Sequence, residues 1–172
     1  MKNFINLMLL VSCTFGISAV EAKNLTVGVE SLEYLPFYSG KGRGGYNGFA
    51  RELMDKFASD HNHEVTYIPV QVKKLFGKYI NKTFDFKFPD NALWRADERK
   101  GKGISYSDVV VKTKVGVISL SSKKDVVPAK VGVVDGFTPW PILDDVKAGK
   151  IKLVQKTRMI QLLKLVESGE VD

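Results

Sequence analysis

Leu25-Thr26-Val27-Gly28-Val29 is the stretch that decides the fold, because a short run rich in β-branched residues is typical of a buried strand. After it, apolar residues recur at helical spacing in 49–57 and 75–80, and strand-like patterns occupy 64–70 and 84–88. This β-α-β-α-β order favours a parallel sheet with helices packed against it. The first half of the chain is therefore predicted to be an α/β unit.

A second unit of the same kind begins at Lys130-Val131-Gly132-Val133-Val134, which is again typical of a strand. The residues after it predict a short helix, a strand, a helix and the first step of a further strand. These elements are expected at 139–147, 151–154, 159–166 and 171–172. The α/β alternation is thus repeated.

The two units are joined by residues 104–120, whose many valines predict a long extended strand. A break at Lys112-Thr113-Lys114 indicates the crossing from one unit to the other. We therefore place the first unit at residues 23–112 and the second at residues 113–172.

The beginning of the chain has the pattern of a secretory signal. Met1-Lys2-Asn3 is basic, residues 4–17 are mostly apolar, and residues 18–22 place small or apolar side chains at the positions that a signal peptidase recognises. The apolar run is too short for a membrane-spanning helix, which needs about 20 residues. Residues 1–22 are therefore predicted to be a signal peptide that is removed on export.

The single cysteine, Cys13, allows no internal disulfide. The residues before it resemble the cleavage motif of a lipoprotein. However, the apolar run continues after Cys13, where the sequence of a lipoprotein usually becomes polar. Cleavage after Ala22 is therefore favoured over a lipid anchor on Cys13.

The net charge of +7 comes from scattered lysines rather than from one basic face. Because export also removes the chain from most nucleic acid, we expect no nucleic-acid partner and a mild preference for anionic ligands. No catalytic triad or cysteine nucleophile is visible, and His61 and His63 are too few for a metal site. The sequence therefore predicts neither an enzyme nor a bound cofactor.

Several motifs occur in an order that resembles the family-three solute-binding proteins of bacterial amino-acid uptake systems. They are Leu25–Val29 with Tyr34-Leu35-Pro36-Phe37, then 46–54, 104–108, 130–138 and 167–172. The resemblance implies a two-lobed α/β fold of the type II periplasmic-binding-protein kind. It also implies that the second lobe is incomplete and that the segment returning to the first lobe is missing, so that the chain is truncated at its C-terminus.

The function implied by this resemblance is capture of a small polar, amino-acid-like solute between the lobes. Such proteins work by hinge closure in the periplasm and deliver the solute to the permease of a membrane ABC transporter. We expect a monomer. Three alternatives stay open: a sensor module for a signalling receptor, a dehydratase-type enzyme on the same fold, and a non-functional truncated remnant.

The resemblance also assigns ligand-binding residues on the first lobe. Tyr34 and Phe37 follow the first strand, where an aromatic ring would stack on the ligand; ordinary packing is the alternative. A later cluster holds Asp90, Asn91, Trp94, Arg95 and Arg99. One of its arginines is expected to grip a ligand carboxylate with its planar pair of donors. Arg99 fits the motif better, but its spacing to Tyr106 is one residue too long, so Arg95 competes with it.

On the second lobe, Gly136, Phe137 and Thr138 form a turn between a strand and a helix. Backbone N–H groups at a helix start attract anions, and the Thr138 hydroxyl adds a further donor. The resemblance implies that this turn closes onto the ligand from the far side. Plain helix capping is the alternative.

Overall fold

The computed structural model describes residues 22–40 and 45–172. The predicted signal peptide, with Cys13, lies outside the described residues except for Ala22. Within the described part of the chain, no helix combines the length and the apolar character needed to cross a bilayer.

The first unit is built on a parallel sheet with β1 at its centre. Its elements are β1 (Asn24–Glu30), β2 (Glu33–Tyr34), β3 (Tyr38–Ser39), α1 (Phe49–Asp60), β4 (Glu64–Val70), α2 (Val72–Ile80), β5 (Phe86–Lys87) and α3 (Ala96–Arg99). The strand order is β4-β1-β5, and both pairings of β1 are parallel. The predicted β-α-β-α-β order is therefore confirmed, while β2 and β3 form a small antiparallel hairpin in a stretch without a strand signal.

The core of this unit forms on both sides of β1. Val27 and Val29 are fully buried and pack with Tyr46 and Ala50. Between them, Gly28 leaves room for Phe84, since a Cβ at Gly28 would lie 2.2 Å from the Phe84 ring. Burial on both faces is what a central strand of a parallel sheet requires.

The predicted strand over 84–88 is reduced to the two residues of β5. The Asp85 carboxylate accepts the backbone N–H of Thr26 at 2.8 Å, so a side chain takes a donor that ladder pairing would otherwise use. The strand therefore starts only at Phe86.

The second unit contains a separate parallel pair of strands. Its elements are β6 (Lys130–Val134), a 3-10 turn (Trp140–Ile142), α4 (Leu143–Lys147), β7 (Lys152–Lys156) and α5 (Met159–Glu167). The helix predicted over 139–147 begins as a 3-10 turn that contains Pro141, and only Leu143–Lys147 is α-helical. Residues 171–172, predicted as the first step of a further strand, are not part of a strand, but the backbone N–H of Asp172 donates to the Lys130 carbonyl of β6 at 3.0 Å, so the strand step stays a prediction.

The long strand predicted over 104–120 is also wrong. Residues 103–120 form neither helix nor strand, and Val109, Val115, Val117 and Ile118 are exposed. A strand needs a hydrogen-bonded neighbour, and no described strand pairs with this segment. The unit boundary at residue 112 stays a prediction.

Candidate functional site

A cleft lies between the carboxyl ends of β1 and β5 on one side and the turn after β6 on the other. Its inner cavity, of about 30 Å³, has room for one or two water molecules. Lining it are Glu30, Val72, Leu75, Phe76, Lys87, Trp94, Arg95, Arg99, Gly136, Phe137 and Thr138. Ligands of parallel α/β sheets bind at this end of the strands.

An outer cavity of about 330 Å³ shares Arg95 and Gly136 to Thr138 with the inner one. Lys73, Asp135 and Gln155 complete its lining. Its volume falls in the range of about 300–1,000 Å³ found for small-molecule sites. The cleft therefore offers space for a small solute along its outer part.

A buried ion cluster forms the floor of the cleft. The Lys87 ammonium lies 2.9 Å from the Asp90 carboxylate, and the side chains of these two residues are 6% and 9% exposed. Arg99, 8% exposed, donates Nη1–H to Asp90 Oδ2 at 2.9 Å and Nη2–H to Asp90 Oδ1 at 2.7 Å. Buried charges persist only when paired in this way.

The Arg99 guanidinium is held on its remaining sides as well. Its Nε–H donates to the Trp94 carbonyl, and its central carbon lies 4.6 Å from the centre of the Phe76 ring. Burial raises the pKa of the neighbouring Tyr106 to about 12, so this hydroxyl stays protonated at neutral pH. Arg99 thus has a fixed orientation in the floor.

Glu30, the last residue of β1, is an acidic group on the cavity wall that the sequence reasoning missed. It is 8% exposed and accepts a 2.6 Å hydrogen bond from the Tyr38 hydroxyl. Burial raises the pKa of the Glu30 carboxyl. The sequence does contain a signal for it. Glu30 is an acidic residue at the carboxyl end of a predicted buried strand, where parallel sheets bind ligands.

Lys87, at the end of β5, is a second residue of the cavity wall that the sequence did not indicate. Its ammonium lies 5.4 Å from the centre of the Trp94 ring, and burial lowers its pKa. A lysine between two phenylalanines of an alternating strand is typical of a solvent-facing charge. Its partner Asp90 lies only three residues further along the chain, but the burial of the pair depends on the loop after β5 folding over it.

Arg95 is the arginine that faces both cavities. Its backbone is left-handed, with φ of 51°, and its side chain is 29% exposed. Nε–H and Nη2–H donate to the Glu98 carboxylate at 2.6 and 2.8 Å, and Nη1 lies 3.4 Å from the Lys73 carbonyl. It is therefore a partly exposed cation at the mouth of the cleft.

The second wall of the cleft is the turn Gly136 to Thr138. Gly136 has φ of 88°, and a Cβ there would lie 2.5 Å from the N and Cα atoms of Lys73 on α2. The rings of Phe137 and Trp94 are 6.4 Å apart across the cleft, and Lys73 lies 3.5 Å from Asp135. Instead of starting a helix, as the sequence predicted, this turn leads to Pro139 and the 3-10 turn.

The structure brings six of the ten predicted site residues into the inner cavity: Trp94, Arg95, Arg99, Gly136, Phe137 and Thr138. Asp90 belongs to the ion cluster of the floor, against Lys87 and Arg99, but lines neither cavity. Asn91 is exposed, and its side-chain oxygen accepts the Leu93 N–H at 2.8 Å in a local turn.

Tyr34 and Phe37 lie outside both cavities, on the β2–β3 hairpin. Their rings stack on each other with centroids 5.3 Å apart, and both side chains are largely exposed. Their predicted stacking on a ligand has no support from this arrangement and stays a prediction.

In residues 22–40 and 45–172, no group of three or more His, Cys, Asp or Glu side chains is arranged to hold a metal ion. His63 instead accepts the Lys23 N–H at 3.4 Å, and the His61 ring packs on Phe57.

No family model matches the chain, and no curated protein sequence matches it. Solved structures do. The chain is similar to an arginine transport-system periplasmic binding protein from Legionella pneumophila (20% identity, TM-score 0.59), covering 88% of this chain and 67% of that one. It is also similar to an ancestral arginine-binding protein bound to glutamine, with 25% identity and a TM-score of 0.59 over 87% of this chain and 67% of that chain.

A third similar structure is the ancestral amino acid-binding protein AncCDT-1, described as a precursor of cyclohexadienyl dehydratase. It shares 19% identity and a TM-score of 0.63, over 87% of this chain and 67% of that chain. All three are described as binding proteins, and the present chain spans about two thirds of each. The fold class predicted from the sequence is thereby confirmed.

Proposed function

We propose that this chain, which has the α/β fold of type II periplasmic binding proteins, captures a small polar solute between its two units and delivers it to a membrane transporter. The observation that carries the proposal is a cleft walled by β1, β5 and α2 on one side and by Gly136 to Thr138 on the other. A solute held there touches both units, so its binding energy favours the closed arrangement.

The chemistry of the walls supports a polar solute. Glu30 offers a carboxylate, Lys87 and Arg95 offer cationic donors, and Trp94 and Phe137 offer apolar faces. These groups line the inner cavity, and the larger outer cavity adds Lys73, Asp135 and Gln155. Charged and hydrogen-bonding side chains at such positions fix the orientation of a polar ligand. We therefore propose an amino-acid-like solute, bound without catalysis and without a cofactor.

The proposal includes a cellular location for the protein. Residues 1–22 have the pattern of an export signal, and the similar structures are periplasmic or amino-acid-binding proteins. We propose a periplasmic monomer without a nucleic-acid partner. Deleting residues 2–22 is expected to keep the protein in the cytoplasm, which cell fractionation measures.

A melting screen tests the binding function. The mature protein is heated with single amino acids, amines and other small polar solutes, and at least one solute is expected to raise its melting temperature. Arg95→Ala is expected to reduce that shift. Arg51→Ala is the matched control, because Arg51 pairs with Asp55 on α1 at 3.1 Å and lines neither cavity. Constant melting temperatures with every solute would refute the proposal.

A sensor role would use the same cleft, so solute binding alone does not separate it from transport. Uptake of the identified solute by cells that lack this protein is the discriminating measurement. Reduced uptake is the result expected for a transport protein, and normal uptake would favour the sensor.

A further inference from the structure

Asp90 occupies the donor edge of Arg99 that a bound carboxylate would need. A carboxylate meets an arginine best through two parallel N–H···O bonds, one to each oxygen. Asp90 makes both, at 2.9 and 2.7 Å, and the two side chains are 9% and 8% exposed. The Arg99 Nε–H is also taken, by the Trp94 carbonyl, and Arg99 makes a further side-chain hydrogen bond with Tyr106.

The same carboxylate also neutralises Lys87. Asp90 Oδ1 accepts from the Lys87 ammonium at 2.9 Å and from the Asn91 backbone N–H at 2.9 Å. Asp90 is therefore the carboxylate that pairs with both Lys87 and Arg99. Removing the Asp90 carboxylate would leave this buried floor with an excess positive charge and an open pair of donors on Arg99.

We propose that Asp90 determines the specificity of the cleft by excluding solute carboxylates from Arg99. The inference rests on the proposed function, because it concerns which solutes the cleft admits. It implies that an amino-acid-like solute does not place its carboxylate on Arg99, and that replacing Asp90 by a small residue creates a binding site for a free carboxylate.

The test compares Asp90→Ala with the wild type in sodium acetate and in sodium chloride at equal ionic strength. Acetate is the probe, because it supplies only the missing group. We expect acetate to raise the melting temperature of Asp90→Ala by about 3 °C more than chloride does, and to leave the wild type equal in both salts. The matched control is Asp97→Ala, which removes a carboxylate that is 90% exposed and is expected to melt equally in both salts.

A second variant identifies the acetate site. Adding Arg99→Met to Asp90→Ala is expected to abolish the acetate effect, since the receiving donors are then gone. Equal melting of Asp90→Ala in both salts would overturn the proposal and leave Asp90 a purely structural role through its bond to Asn91. If Asp90→Ala does not fold in chloride, cooperative melting regained in acetate supports the proposal, and no regain overturns it.

The experiments distinguish a failure of the proposed solute binding from a failure of the proposed role of Asp90. If no solute stabilises the wild type but acetate stabilises Asp90→Ala, the binding function fails while the occupation of Arg99 by Asp90 stands. If the wild type binds carboxylate solutes and Arg99→Met abolishes that binding, the binding function stands and the exclusion by Asp90 is refuted.

Discussion

Gly136 in the turn after β6 lies directly against the backbone of Lys73 in α2, so close that a Cβ on Gly136 would come within 2.5 Å of the Lys73 N and Cα atoms. The two units thus meet backbone to backbone at the cleft. Because backbone atoms cannot rotate away as a side chain can, the first side-chain carbon added here must push the units apart.

Gly136→Ala is therefore expected to destabilise the protein and to weaken solute binding. Its φ of 88° alone costs an alanine about 1 kcal/mol or more, and the clash with Lys73 adds to this. Denaturant unfolding measures the loss. Gly149→Ala is the control, since Gly149 has a similar φ of 74° and nothing within 4 Å of its Cβ position. Equal losses in both variants would show that the contact with Lys73 carries no energy.

Gly28→Ala is expected to be strongly destabilising, because the new Cβ would lie 2.2 Å from the buried Phe84 ring. Overpacking of this kind costs about 1–3 kcal/mol. Gly132→Ala is the matched control in β6, since its nearest neighbour is the Leu162 Cδ2 atom at 3.2 Å, the end of a flexible side chain. Denaturant unfolding of both variants is the measurement, and a larger loss for Gly132→Ala would contradict the expectation.

Tyr46→Phe is expected to stabilise the protein by about 1 kcal/mol. The Tyr46 hydroxyl oxygen is buried and has no hydrogen-bond partner among the described residues. Its desolvation on folding therefore costs free energy that no hydrogen bond offsets. Tyr67→Phe is the opposite case, because the Tyr67 hydroxyl donates to Asp55 Oδ1 at 2.6 Å. It is expected to lower the melting temperature. A fall in the melting temperature of Tyr46→Phe would show that its hydroxyl does have a partner.

Asp172→Asn is expected to change how stability depends on pH. A hydrogen bond from Lys123, with two from the backbone of Lys130 and Ala129, lowers the Asp172 pKa from 3.8 to about 2. Because its pKa is lower in the folded state, the stabilisation is complete above pH 3.8 and disappears as the pH falls through about 2. The melting-temperature gap between wild type and Asp172→Asn should therefore be constant near neutral pH and close in acid. A gap independent of pH down to 2 would contradict this.

Much of the fold could be predicted from the sequence, because its main signals are local. The apolar run of Leu25 to Val29 and the helical recurrence of apolar residues over 75–80 are set by which faces must be buried. The parallel direction of the strands then follows from the alternation of strands with helices. Both survive in the structure.

The long valine-rich segment shows where local patterns fail. Residues 103–120 have strand-forming composition, but a strand depends on a neighbour that composition does not reveal. The candidate site shows the same limit. The sequence identified Asp90 and Arg99 as candidates, yet it gave no sign that they bind each other, because the choice of partner depends on how the loop after β5 folds back.

The exposed valines of residues 109–118 make this segment prone to association with other extended chains. Unpaired, β-prone backbone next to apolar side chains can add to the edge of another extended chain, and charged residues within such a run oppose stacking by mutual repulsion. Lys112 and Lys114 interrupt the valines here. Repulsion between these ammonium groups opposes pairing of this segment with a second copy of itself, and neither lysine lines the cavities of the cleft.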